Sequence, residues 1–183
     1  MMGVSAVSSF SDAHECIEIP YIAASLHKLM LPAQELVWAV LHEDDPDERF
    51  VYSLAATFLG RVCLSGPIDK LTAHQRALTA DAMRFYAKLE DVIVNGDTHL
   101  YGNRGNNTRY PTGTQVVVRR TDKQIAVICH AFDQPSTDLT IELGTRATVA
   151  DHFYGDAIRV DGTTLTVPAM QPFTAAAVLL DIE

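Results

Sequence analysis

The sequence predicts an α/β unit followed by an all-β unit, and two observations carry that expectation. Up to Asn95-Gly96, short apolar runs alternate with segments whose apolar residues recur at helical spacing; beyond it come period-2 runs broken by turn residues. Composition agrees, since 48% hydrophobic and 20% charged residues is the globular average and leaves enough apolar surface to bury a core. The 183 residues hold one medium domain or two small ones. They fall short of the roughly 250 residues of a complete (β/α)8 barrel.

In the first unit, Glu18 to Leu31 reads as a helix with Ile22, Leu26 and Leu29 on one side. Pro32 closes it, because its ring cannot continue a helix. Leu36 to Leu41 is a continuous apolar run, as expected of a strand buried on both faces. The acidic stretch from Glu43 to Glu48 leads into a helix from Phe50 to Leu59, its carboxylates near the positive end of the helix dipole. A charge run of this kind is a solvated loop before it is a metal site. Gly60 to Ser65 is a second short strand, ended by Gly66-Pro67. Thr72 with Gln75 forms a capping box for a long helix in which Leu78, Ala82, Phe85, Leu89 and Val92 or Ile93 recur at helical spacing. Alternating helices and buried strands predict a parallel sheet covered by helices over residues 1–95.

Tyr101 to Gly113, rich in Gly, Asn and Pro, reads as a long connecting loop. Strands are expected at Gln115–Arg119, Gln124–His130, Leu139–Leu143, Thr148–Phe153, Ala157–Val160, Thr164–Val167 and Ala175–Asp181, with Asp161-Gly162 as a hairpin turn. Strands at this spacing predict an antiparallel β-sandwich or small barrel over residues 96–183.

Charge and composition exclude several functions. With 23 acidic against 14 basic residues, the net charge of −9 has the wrong sign for a nucleic-acid partner. Cys16, Cys63 and Cys129 are odd in number and widely spaced, which suggests buried thiols rather than a disulfide framework or zinc site. No apolar run approaches the roughly 20 residues that span a bilayer, and Met1 to Phe10 has neither a basic start nor an apolar h-region. The chain therefore reads as cytoplasmic and free of the membrane, although a longer parent protein could differ.

The densest polar cluster is Ser8 to Glu15, followed by Glu18. His14-Glu15-Cys16-Ile17-Glu18 approaches the His-Glu-x-x-His pattern of zinc proteases, but Glu18 stands where the second histidine belongs. No serine sits in a Gly-x-Ser-x-Gly elbow. Asp12 remains, at the end of an expected strand and before a helix. There it either caps the helix or, in a parallel sheet, faces a ligand.

The runs Ser9-Phe10-Ser11-Asp12, Ala23-Ala24-Ser25-Leu26-His27, Leu31-Pro32-Ala33-Gln34, Trp38-Ala39-Val40-Leu41 and Phe58-Leu59-Gly60-Arg61-Val62-Cys63-Leu64-Ser65-Gly66 resemble the last third of the catalytic barrel of melibiase-type α-galactosidases. These are clan D glycoside hydrolases near family 36. Asp69-Lys70-Leu71-Thr72 resembles the start of the family's final barrel helix, and the β-rich tail resembles its C-terminal sandwich. The resemblance implies a partial (β/α)8 TIM barrel over 1–95, followed by an antiparallel β-sandwich over 96–183.

It also implies chemistry. Such retaining enzymes use two carboxylates about 5 Å apart, one attacking the anomeric carbon and the other serving as acid and then base. Ser11-Asp12 matches the family's Ser-Asp pair after the sixth strand, so Asp12 takes the general acid/base role by resemblance. The family's second acid, three residues on, matches Glu15, while the arginine four residues beyond that is here Ile19. Trp38, on the presumed seventh strand, is placed either to stack on a sugar face or to fill the core. Ser65 and Gly66 face the same barrel mouth, with strand termination the simpler role.

The family's nucleophile follows the fourth strand, upstream of anything matched here. The implied function is thus the C-terminal part of a glycosidase acting on terminal α-galactosides, inactive alone. An upstream chain supplying the rest of the barrel would be a partner, and no metal or organic cofactor is implied. The alternative is a non-catalytic carbohydrate-binding or structural sandwich module.

Overall fold

The computed structural model describes residues 8–9, 16–154 and 158–183. The first elements are β1 (Ser8–Ser9), α1 (Ile19–Leu26), β2 (Glu35–Val40), α2 (Asp47–Thr57), β3 (Arg61–Ser65), α3 (Ala73–Lys88) and α4 (Glu90–Asn95). β1, β2 and β3 form a three-stranded sheet in that order, and both strand pairs are parallel. The predicted alternation therefore produces the predicted sheet. The helix expected from Glu18 to Leu31 stops at Leu26, where His27 caps it and bonds the Leu59 carbonyl at 3.0 Å. Its buried side is Tyr21, Ala23 and Ala24 rather than the expected stripe, and Leu29 and Leu31 are exposed. The two alanines let α1 approach α2 closely, which the larger side chains would prevent.

The remaining strands are β4 (Asp97–Gly102), β5 (Thr114–Arg120), β6 (Gln124–Ala131), β7 (Leu139–Glu142), β8 (Ala147–Phe153), β9 (Arg159–Asp161), β10 (Thr164–Val167) and β11 (Ala175–Ile182). They make two sheets with antiparallel pairing, ordered β4-β5-β6-β11-β8 and β7-β10-β9. The hairpin joining β9 to β10 pairs Asp161 with Thr164, and Gly162 supplies the positive φ of +62°. β4 corrects the reading of Tyr101 as loop. It is an exposed edge strand without inside-outside alternation, so its identity comes from pairing to β5 rather than from its own pattern.

Both faces of the five-stranded sheet are buried. One face carries Val116, Val118, Val127, Cys129, Val178 and Leu180 against Ile141, Leu165 and Val167 of the smaller sheet. The other carries Val117, Ile128, Phe153, Ala177 and Leu179 against the helices. This double burial explains unbroken runs such as Val116-Val117-Val118 in an antiparallel sheet, where alternation is the usual pattern. α2 lies between the parallel sheet and this face, with every residue from Phe50 to Thr57 buried. Phe58 sits edge-on to Phe153 at 5.1 Å and against Phe85 at 5.3 Å, so one apolar cluster runs across Asn95-Gly96.

The helix-facing side of that sheet also carries Gln115, Arg119 and His130, all fully buried. Arg119 reaches from β5 to the C-terminal ends of two helices. Its Nη2 donates to the Leu59 carbonyl just past α2 and lies 2.9 Å from His27 Nε2 at the end of α1. Glu35 Oε2, at the start of β2, lies 3.4 Å from the same nitrogen. Burial, and then the Arg119 charge, hold His27 down at about 3, so its ring is neutral; with Nε2–H donating to the Leu59 carbonyl, Nδ1, 3.4 Å from Arg119 Nη2, is the nitrogen left to accept from the guanidinium. Burial pushes Glu35 up to about 8 against the opposing pull of Arg119, so its carboxyl is protonated at neutral pH.

Candidate functional site

In a parallel sheet all strands end on one side, and the connections that leave those ends converge there. Among the described residues these are 16–18, in the connection after β1, 41–46 after β2 and 66–72 after β3. Asp12 and Glu15, the two carboxylates singled out in the sequence, lie outside the described residues. The chain on either side of them is anchored. Ser8 and Ser9 pair with Glu35 and Leu36. Downstream, the Ile17 carbonyl accepts from the Tyr52 hydroxyl at 3.0 Å, and the buried Glu18 carboxylate accepts from Arg109 Nη1 at 2.7 Å.

Arg109 belongs to the Gly- and Asn-rich loop that reads in the sequence as a plain connector. The structure makes it a brace for the start of α1. The Tyr21 hydroxyl donates to the Gly105 carbonyl at 2.9 Å, and Arg104 covers the Tyr21 ring at 4.2 Å. Arg104 Nη1 also donates to the Tyr21 carbonyl and to Gln115 Oε1, whose Nε2 donates to the Pro20 carbonyl. No sequence signal marks these partners, because Arg109 and Glu18 are 91 positions apart.

The loop after β2 is held from inside. The capping box expected of Thr72 and Gln75 is present, with the Gln75 N–H donating to Thr72 Oγ1 and the Thr72 N–H to Gln75 Oε1. The same buried amide then turns its Nε2 to the carbonyls of His42, Glu43 and Asp45 at 3.1 to 3.3 Å. Asp45 closes the loop by accepting from the His42 N–H and pairing with Arg49. Gln75→Ala keeps its backbone N–H bond to Thr72 but is expected to release the four side-chain bonds, to the Thr72 N–H and to the carbonyls of His42, Glu43 and Asp45, and cost about 2 kcal/mol, read by urea unfolding. Gln75→Glu should not rescue it, since a carboxylate puts an acceptor against three carbonyls.

Glu43, Asp44 and Glu48 of the acidic stretch are exposed. Among the described residues no group of three His, Cys, Asp or Glu side chains is gathered as a metal ion would require. Gly66 ends β3 at φ +93°, where a Cβ would meet the Leu41 carbonyl at 2.3 Å, and the Leu41 N–H donates to the Ser65 carbonyl. Only glycine fits that crossing.

Trp38 lies on β2 opposite Cys63 of β3. Glu35, Val37 and Ala39 point to the fully buried side of the sheet, whereas Leu36, Trp38 and Val40 form the other, half-buried side. No helix of the described residues is long and apolar enough to cross a membrane.

No family model and no curated protein matches the sequence. Solved structures do match, and the α-galactosidase resemblance read from the sequence holds at the level of the fold. A variant of the GH36 α-galactosidase AgaA from Geobacillus stearothermophilus, in complex with 1-deoxygalactonojirimycin, superposes with a TM-score of 0.72 at 9% identity. AgaB from the same organism gives 0.66 at 11%. Each match covers 94% of this chain and 25% of the other, so the chain spans about a quarter of the α-galactosidases it matches. An Anoxybacillus α-amylase matches with a TM-score of 0.56 at 14% identity, over 91% of this chain and 45% of its own.

Proposed function

We propose that these residues are the C-terminal part of a retaining glycoside hydrolase that removes terminal α-linked galactose or a similar sugar. The observation that carries this reading is the fold shared over 94% of the chain with GH36 α-galactosidases. Residues 1–95 then supply the last strands and helices of a (β/α)8 barrel, and residues 96–183 its sandwich domain. Two features support the incomplete barrel: β3 is an edge strand among the described residues, and the Leu36, Trp38 and Val40 face is only half buried. Further parallel strands would extend that edge and enclose that face.

In this mechanism Asp12 protonates the glycosidic oxygen while a carboxylate nucleophile attacks the anomeric carbon. The leaving group departs, and Asp12, now ionised, takes a proton from the water that hydrolyses the glycosyl-enzyme. Glu15 holds sugar hydroxyls and Trp38 stacks on the sugar's apolar face. The nucleophile is not among these residues, so the chain alone is expected to be inactive. Co-expression with the upstream reading frame should restore release of the aryl group from an aryl α-galactoside, and Asp12→Asn should abolish it. Hydrolysis by the purified chain alone would sink the fragment reading. A complemented enzyme indifferent to Asp12→Asn would remove the role of Asp12.

A further inference from the structure

Phe173 holds a backbone conformation that an aromatic residue rarely adopts. Its φ is +58°, in the left-handed region that disfavours a bulky side chain. The turn is locked there: the Phe173 N–H donates to the Ala131 carbonyl, the Ala131 N–H to the Thr174 carbonyl, and Thr174 Oγ1 to the Gln171 carbonyl. What the turn achieves is a placement. The half-exposed Phe173 ring lines a cavity of about 310 Å³ together with Cys16, Ile17, Pro46, Tyr52 and Pro172.

The walls come from three separate segments: the chain after β1, the start of α2, and the connection from β10 to β11. They are preformed. Tyr52 is fixed by its bond to the Ile17 carbonyl and stands edge-on to His130 at 4.9 Å. Glu48 and Arg49, both exposed, complete the lining, and Arg49 is held by Asp45. One anion and one cation beside an apolar, aromatic cleft suit neutral polar substituents better than a charged ligand.

We propose that this cavity binds a six-membered ring with an apolar face, the chemistry shared by an aryl group and a pyranose. Phe173 stacks on the ring while its polar substituents meet Glu48 and Arg49. The volume is at the small end of ligand pockets, which suits one ring rather than a chain of them. The inference does not rest on Asp12, on barrel completion or on hydrolysis.

NMR titration of the 15N-labelled chain tests it, with phenol in one arm and methyl α-D-galactopyranoside in the other. The expected result is saturable shifts at Ile17, Glu48, Arg49, Tyr52 and Phe173 with a Kd on the order of 1–10 mM in at least one arm. The arm that saturates identifies the ring. Phe173→Ala should weaken binding at least about ten-fold, the loss expected when a stacking ring is removed. Phe173→Gly, which accepts φ +58° without strain, should lose binding equally while keeping or raising the melting temperature. Saturation in neither arm, shifts confined to other residues, or unchanged binding by Phe173→Gly would each overturn the proposal.

Discussion

Replacing Arg119 by alanine is expected to cost the fold about 3–5 kcal/mol, the range found when a large, fully buried side chain is truncated to alanine. Arg119 heads the largest fully buried side chains of the chain, so truncation leaves a void as well as orphaned groups. The Leu59 carbonyl loses its guanidinium donor at the negative end of α2, and the neutral His27 ring loses the donor that orients it. Arg119→Met separates the two contributions. It restores most of the volume but none of the hydrogen bonds, so it should recover about half of the loss. Urea unfolding followed by tyrosine fluorescence and by far-ultraviolet dichroism gives the numbers. For a chain of this size the alanine variant should melt roughly 10 °C lower. Because Arg119 ties β5 to the ends of α1 and α2, and Phe58, Phe85 and Phe153 share one cluster, both probes should report one transition. Two transitions in the parent chain would show that the network does not couple the two units, and an Arg119→Met variant as stable as the parent would show that it contributes packing alone.

Much of this fold is legible in the sequence because its local signals agree with its tertiary contacts. The Thr72 and Gln75 capping box, the Asp161-Gly162 turn and the apolar runs at β2 and β3 all follow from rules of a few residues' range. The misses have a common cause. β4 is defined by its neighbour, not by its own side chains. The length of α1 is set by His27 bonding a carbonyl 32 residues away. The site divides the same way. Gly66 announces itself as the end of a strand, whereas the Glu18 and Arg109 pair and the Gln75 clamp on the loop after β2 join residues that no spacing rule connects. Asp12 and Glu15 are named from a sequence resemblance and lie outside the described residues.

The buried ionisable groups predict a stability profile with its maximum near pH 6.5. Two histidines act on the acid side. Burial holds both His27 and His130 at about 3, below the 6.5 of the unfolded chain, so as pH falls through 6.5 the unfolded state takes up protons that the folded state refuses. Each costs up to about 1.4 kcal/mol of stability per pH unit down to its folded value. Glu35 acts in the opposite direction. Burial raises its carboxyl from 4.5 to about 8, so between those values the folded state keeps a proton that the unfolded state has released. Its contribution is intact below 4.5 and shrinks as pH rises, reaching its minimum once Glu35 ionises in place. From 4.5 to 6.5 the two histidines outweigh the one carboxyl and stability climbs. Above 6.5 the histidines become neutral in both states and Glu35 sets a downward slope. Glu35→Gln removes that slope and also its opposition to the histidines between 4.5 and 6.5, so its profile should climb about twice as steeply on the acid side, keep rising to about pH 7.5 and then run level to about 8. Urea unfolding at half-unit intervals from pH 4 to 9 makes the comparison. An alkaline slope that survives in Glu35→Gln would place its origin in a different group, and a parent profile still rising between pH 7 and 8 would mean that Glu35 is ionised inside the fold.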